Sequence, residues 1–226
     1  MSLMEIGDLK IGLIGGTGEE GRGLALRFAK AGAQVTIGSR SAERAKEAAD
    51  ELNGILGNDS VRHAANQEAI RGSELVLITV PFEHAASTLE AHLNDFRDGS
   101  ILIDITVPVA FEKGARYVEL PEGSASEHLR ARLPDSIPLV AAFKTEPAHL
   151  LLDSAVALDC DVFVAGDSKE AKARVMEAIR FIEGARPVDA GALASARTLE
   201  RMTVLAIGIN RRYKIKTARY RVLGLP

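Results

Sequence analysis

The 226-residue chain has no tryptophan, only three tyrosines and a single cysteine, Cys160. One cysteine excludes a disulfide framework within the chain and fits a reducing, cytoplasmic setting. No apolar run approaches the roughly 18 residues that a membrane-crossing helix needs, so no membrane partner is expected. Strong charge of one sign is also missing: 28 basic against 31 acidic residues leave a net charge of −3. Without a basic field, and with few rings on which bases stack, nucleic acid is not an expected partner. His63, His92, His128 and His149 lack metal-ligand spacing, so no metal site is expected. Met1-Ser2-Leu3 ahead of Met4 lacks the charged and apolar regions of a signal peptide and reads as a vector-derived addition.

What the chain has is an alternation of apolar runs and helical patterns. Strands are expected at 10–15, 34–38, 75–80, 100–105 and, more weakly, 61–64 and 139–143, with helices at 19–31, 42–56 and 82–96. This β-α-β order predicts an α/β fold, and continuously apolar strands such as Leu75-Val76-Leu77-Ile78 predict a doubly wound parallel sheet covered on both faces. After Pro147 the pattern changes to a strand at 161–165, an amphipathic helix at 169–183, a short strand near Pro187 and a long helix at 193–212. The expectation is a Rossmann-type domain over residues 1–146 and a small C-terminal α+β lobe over 147–226.

Gly16-Thr17-Gly18-Glu19-Glu20-Gly21 follows the first strand and opens the first helix. In that setting the glycines permit a tight turn, the approach of a diphosphate to the backbone, and close helix–strand packing. The helix N-terminus then presents unpaired N–H groups to an anion. Glu19 and Glu20 complement the helix dipole but repel phosphate unless turned away. After the second strand, where an NAD site usually places an acid, the chain reads Gly38-Ser39-Arg40, with Arg44 a helical turn further on. A hydroxyl and guanidinium groups suit a 2′-phosphate, so NADP(H) is favoured over NAD. The blander reading makes Arg40 and Arg44 ordinary solvated residues of a helix start.

These segments, Gly15-Gly16-Thr17-Gly18, Gly23-Leu24-Ala25-Leu26-Arg27 and Ile37-Gly38-Ser39-Arg40, together resemble the NADPH-dependent reductases of coenzyme F420, a deazaflavin. Thr79-Val80-Pro81-Phe82-Glu83-His84, Val107-Pro108-Val109, Ser124-Ala125-Ser126-Glu127 and Asp189-Ala190-Gly191, followed by Leu193, Ser195, Arg197 and Glu200, extend the resemblance over nearly the whole chain. It implies a Rossmann domain holding NADP(H), a small lobe closing one side of the cleft, and a homodimer. It places Thr17 to Glu20 at the diphosphate, Ser39, Arg40 and Arg44 at the 2′-phosphate, and Val80, Val107 and Ala148 on the nicotinamide side. Coenzyme F420 is the implied second substrate.

The chain departs from the archaeal pattern His-Thr-Ile-Pro-Ala, reading Lys144-Thr145-Glu146-Pro147-Ala148 instead. Lys144 and Glu146 are assigned to the acceptor pocket, where either they serve a differently charged acceptor or they pair with each other at its rim. Hydride transfer between two cofactors requires the protein only to orient the rings, so no catalytic acid–base pair is expected. Lys144 is a candidate for stabilising negative charge on the reduced ring. A flavin or ferric-complex reductase, and a non-catalytic NADP-binding sensor, are the alternatives. His84 is read either as reaching the cleft or as an ordinary helix residue. The basic run Arg211-Arg212, Lys214, Lys216, Arg219 and Arg221 is read either as attracting an anionic acceptor or as a solvated or dimer-contact tail.

Overall fold

The computed structural model describes residues 5–112 and 114–225. Met1-Ser2-Leu3, expected to be vector-derived, lies outside the described residues. In chain order the elements are β1 (Lys10–Ile14), α1 (Glu19–Lys30), β2 (Gln34–Ser39), α2 (Ala42–Leu56), β3 (Val61–Ala65), α3 (Asn66–Arg71), β4 (Leu75–Ile78), α4 (Phe82–Glu90) and β5 (Ile101–Asp104). There follow β6 (Val109–Phe111), β7 (Ala115–Tyr117), α5 (Ala125–Arg130), β8 (Leu139–Ala141), α6 (Ala148–Leu152), β9 (Cys160–Gly166), α7 (Lys169–Arg180), β10 (Ala185–Gly191) and α8 (Ala196–Tyr213).

Eight strands form one sheet in the order β10-β9-β8-β5-β4-β1-β2-β3, while β6 and β7 pair as a separate antiparallel hairpin. Neighbours in the main sheet are parallel except β8 and β9, which are antiparallel. Along the apolar strands, alternate residues enter two cores. Leu75 and Leu77 pack with α1, α2, α6 and α7 on one face. Val76 and Ile78 pack with α3, α4, α5 and α8 on the other. The sequence pattern has this cause: a strand covered on both faces carries apolar side chains at every position.

Residues 147–226, expected as a small α+β unit, contribute α6 and the elements from β9 to α8. β9 and β10 extend the main sheet, and Val162, Val164, Val175 and Ile179 share a core with residues of β1 and α1. α6 lies against α1, where Arg27, almost wholly buried, donates to the carbonyl oxygens of Leu151 at 3.0 Å, Leu150 at 2.6 Å and Asp153 at 2.6 Å. Gly23 allows this contact, because an added Cβ would lie 2.5 Å from Leu151 Cβ.

Several short elements differ from expectation. The helix expected at 82–96 is α4, ending at Glu90, followed by a 3-10 turn at Leu93–Asp95. The helix expected from 193 opens as a 3-10 turn, Leu193–Ser195, before α8 begins. α3, α5, α6 and the β6–β7 hairpin were not expected: helices of five or six residues show too few turns for a 3.6-residue period to register.

Candidate functional site

The sheet order reverses between β1 and β4, whose carboxyl ends carry the glycine turn and Thr79-Val80-Pro81. In an open α/β sheet that crevice is where ligands bind. Gly15, at φ +73, makes the turn out of β1, a left-handed conformation that disfavours a side chain. The tight turn therefore belongs to Gly15 rather than to Gly16, the first glycine of the motif. The Gly15 amide donates to Asn66 Oδ1 at 3.2 Å, and Thr79 N–H and Oγ1–H donate to the Ile14 carbonyl at 3.0 and 2.9 Å. Gly16 and Gly21 let strand and helix touch, since a Cβ on Gly21 would lie 2.8 Å from Gly16 Cα. Gly18 differs: a Cβ there would meet nothing within 4 Å. It precedes α1, whose N-terminus has no side-chain cap. This open backbone with uncapped amides fits a diphosphate.

Two cavities meet at this turn. The first, about 500 Å³, is lined by Gly15, Thr17, Gly18, Ser39, Arg40 and Arg44, with Asn66, Thr79, Val80, Pro81 and His84 on its other walls. Ser39 Oγ accepts from the Ser41 amide at 3.1 Å, and Ser41 caps α2 by accepting from the Arg44 amide. Arg40 and Arg44 are exposed, and neither guanidinium is held in a hydrogen bond or ion pair among the described residues. Their donors are thus available to a phosphate. His84 reaches this cavity from α4.

The second cavity, about 520 Å³, shares Gly18, Thr79, Val80 and Pro81 with the first. Glu19, Glu20, Val107, Phe111, Lys144, Glu146 and Thr203 are among its other lining residues. Ala148, expected on the nicotinamide side, begins α6 and lines neither cavity.

Lys144 does not pair with Glu146, and neither residue is at an exposed rim: they are 3% and 6% exposed. Lys144 Nζ instead lies 2.8 Å from Asp104 Oδ2, 3.1 Å from Glu200 Oε1 and 2.6 Å from the Thr106 carbonyl. Three acceptors use its three protons, so it has none left for an acceptor ring. Burial works against its charge, but Asp104 and Glu200 outweigh burial and raise its pKa.

The buried carboxylates are themselves held. Asp104 accepts from Thr106 N–H at 2.8 Å, Thr106 Oγ1 at 2.7 Å and Ser126 Oγ at 2.6 Å. Glu200 accepts from Tyr117 Oη at 2.8 Å and the Ala125 amide at 2.9 Å. Burial and the Glu200 charge push the Tyr117 phenol well above its ordinary range. Phe143, at φ +53, makes the turn between β8 and Lys144, fixed by its buried ring against Phe28. Asp104 and its bond to Lys144 escaped the sequence reading. The signal available was an acid at the end of an otherwise apolar strand.

Glu20 and Glu146 carry shifted acidities. Burial first, and then the Glu146 charge, push Glu20 up to about 8, and burial raises Glu146 to about 7. The raised pKa favours the neutral form of Glu20, which lessens its expected repulsion of phosphate.

The basic C-terminal run lines neither cavity. Part of it folds beside β9, where the Asp161 amide donates to Tyr220 O at 2.9 Å and Arg219 and Arg221 pair with Asp159. Cys160 is buried and its thiol is pushed up to about 12, chiefly by burial, which keeps it protonated. Among the described residues no group of three His, Cys, Asp or Glu could hold a metal ion, and no helix is long and apolar enough to cross a membrane.

A family model described as "NADP oxidoreductase coenzyme F420-dependent" matches residues 10–108. The F420-dependent NADP reductase of Methanothermobacter thermautotrophicus is 40% identical over 224 residues, covering 96% of each chain. That of Methanocaldococcus jannaschii is 35% identical, covering 96% of this chain and 99% of its own. Among solved structures, a putative F420-dependent NADP reductase from Arthrobacter sp. FB24 superposes with a TM-score of 0.80 at 25% identity, over 95% of this chain and 99% of that one.

Proposed function

The chain belongs to the coenzyme F420-dependent NADP oxidoreductases, and on that premise we propose that it transfers a hydride between NADP(H) and the deazaflavin coenzyme F420. The observation that carries this reading is the junction of two cavities at Gly18, Thr79, Val80 and Pro81, with Arg40 and Arg44 unpaired at the far end of one. The bound nicotinamide supplies the hydride. Arg40, Arg44 and Ser39 hold the 2′-phosphate, Thr17 and Gly18 the diphosphate, and Val80 and Val107 the nicotinamide side. Val80 at the junction and Val107 beside it give the cavity apolar lining, which would limit water around the reacting rings and help orient them. Residues 1–146 bind the dinucleotide, and residues 147–226 cover the acceptor side through Thr203.

The same reading includes a homodimer, supported by the exposed Phe111, Leu205 and Tyr213, and a cytoplasmic setting, supported by the free Cys160. Sedimentation equilibrium decides the first. The activity is tested by mixing protein and NADPH with the deazaflavin, with FMN and with a ferric chelate, and following absorbance. Oxidation of NADPH by the deazaflavin alone is expected. Turnover only with FMN or ferric chelate replaces the acceptor, and binding of NADPH without turnover makes the protein a sensor.

A further inference from the structure

Four glutamates line the second cavity: Glu19 and Glu83 are exposed, whereas Glu146 is buried and Glu20 half-buried, and no cation pairs with either of these two among the described residues. Glu146 follows β8, and its oxygens accept from the Thr145 amide at 3.2 Å, the Thr145 hydroxyl at 3.0 Å and its own backbone amide. Glu20 comes from the first turn of α1 and has no hydrogen bond or ion pair among the described residues. The Lys144 charge lowers the Glu20 pKa but is outweighed there by burial and by the Glu146 charge. Lys144 is committed by hydrogen bonds and ion pairs to Asp104, Glu200 and the Thr106 carbonyl. That buried group already carries one more negative than positive charge. Ionising Glu20 and Glu146 as well would bring further like charge together beside the buried Glu146, which is unfavourable. The other titratable groups that line the cavity, Glu19 and Glu83, bring no positive charge, and Cys160 near Glu146 is a neutral thiol with a raised pKa.

Resting on the hydride-transfer reading above, we propose that Glu20 and Glu146 form a proton-holding pair in which Glu20 is the acid that protonates the acceptor ring. In the forward direction a hydrogen leaves C4 of the dihydronicotinamide with its electron pair and bonds to C5 of the deazaflavin. The nicotinamide is oxidised and the deazaflavin reduced by two electrons. The reduced ring takes the proton of the Glu20 O–H at a ring nitrogen, and the Glu20 carboxylate regains a proton from water at the cavity mouth. In reverse the carboxylate accepts that proton. Glu146 keeps Glu20 protonated through its negative charge. Direct hydride transfer needs no acid for the hydride itself; the acid supplies the second hydrogen of the balanced reduction. The raised acidities, about 8 for Glu20 and about 7 for Glu146, accord with this role, and the two titrate as a coupled pair.

Two measurements test it. Infrared difference spectra of the protein without coenzymes, taken between pH 6 and pH 9, are expected to show loss of a protonated-carboxyl stretch that is diminished in Glu20→Gln. In steady-state assays the wild-type rate of deazaflavin reduction should fall above about pH 8. Glu20→Gln should lose roughly 10²-fold in that rate at pH 7 and show no such fall, with NADPH affinity kept because Gln reproduces the neutral acid. Glu146→Gln should move the fall to lower pH. Absence of the carboxyl signal in the wild type overturns the proposal even where a variant does not fold. A wild type that turns over while both variants match its rate at every pH overturns the proposal alone. A wild type inert toward the deazaflavin overturns the function and this proposal with it.

Discussion

At the residue scale, each part of the dinucleotide turn has a separable job. Arg40 lines the first cavity with its guanidinium unpaired, so truncating it removes ligand contacts without leaving a buried partner stranded. Arg40→Ala is expected to weaken NADPH binding roughly 10- to 150-fold, the equivalent of about 1.5–3 kcal/mol for hydrogen bonds to a charged group. NADH binding should stay within a factor of about two, since it has no 2′-phosphate; titration calorimetry with both coenzymes checks this, and equal losses would place Arg40 elsewhere. The glycines separate in the same way. Gly21→Ala forces a Cβ to within 2.8 Å of Gly16 backbone, and overpacking of this kind costs about 1–3 kcal/mol. Gly18→Ala meets no protein atom, so its melting temperature should match the wild type while NADPH affinity falls. The arginines and glycines could be read from sequence because their contacts are local, within one strand–turn–helix unit. The charge state of Glu20 could not, because it depends first on burial and then on Glu146 and Lys144, which are far along the chain.

At the scale of elements, the ion cluster beneath the second cavity ties together pieces that sequence order keeps apart. Asp104 ends β5, Lys144 follows β8, Glu200 sits on α8 and Tyr117 closes β7. Lys144 thus reads as a positioning residue that fixes α8 over the acceptor cavity. Replacing it with Met would leave two carboxylates buried and one cation short, and breaking a buried pair in this way costs about 3–5 kcal/mol. Lys144→Met should therefore lower the denaturation midpoint in urea and loosen α8, seen as faster amide exchange over 196–213. An unchanged midpoint would mean that the pair contributes nothing to holding the helix. The core strands β1 and β4 were legible as continuous apolar runs, and the long helices α1 and α8 by their apolar periodicity. The short helix α6 was not, since its place is set by Arg27 binding three carbonyls of the segment from Leu150 to Asp153. A pairing of Lys144 with Glu146 looked natural from adjacency alone, yet the two carboxylates that hold Lys144 come from β5 and α8.

At the scale of the whole molecule, the sheet carries β9 and β10 beyond β8, so the acidic groups of both halves contribute to one cooperative unfolding transition. Their effects on stability have opposite signs. Hydrogen bonds from Arg186 hold Asp161 below the usual carboxylate range, and one from Lys172 does the same for Asp189. Those contributions are present above the unfolded carboxylate value and are lost as pH falls through the folded one. Glu20 and Glu146 act the other way. Their folded values of about 8 and about 7 lie above the ordinary 4.5, so between these limits the native state keeps protons that the unfolded chain has released. Stability from this source is complete below pH 4.5, falls as pH rises, and is gone by about pH 8. The melting temperature should accordingly decline on the alkaline side from about pH 5 to about pH 8, beyond any decline at the acidic extreme. Glu20→Gln and Glu146→Gln should each flatten that alkaline decline, because an amide does not titrate. Calorimetry of the three proteins across that range checks the sign, and a wild-type melting temperature that rises steadily to pH 8 would show both carboxyls to be ionised in the folded chain.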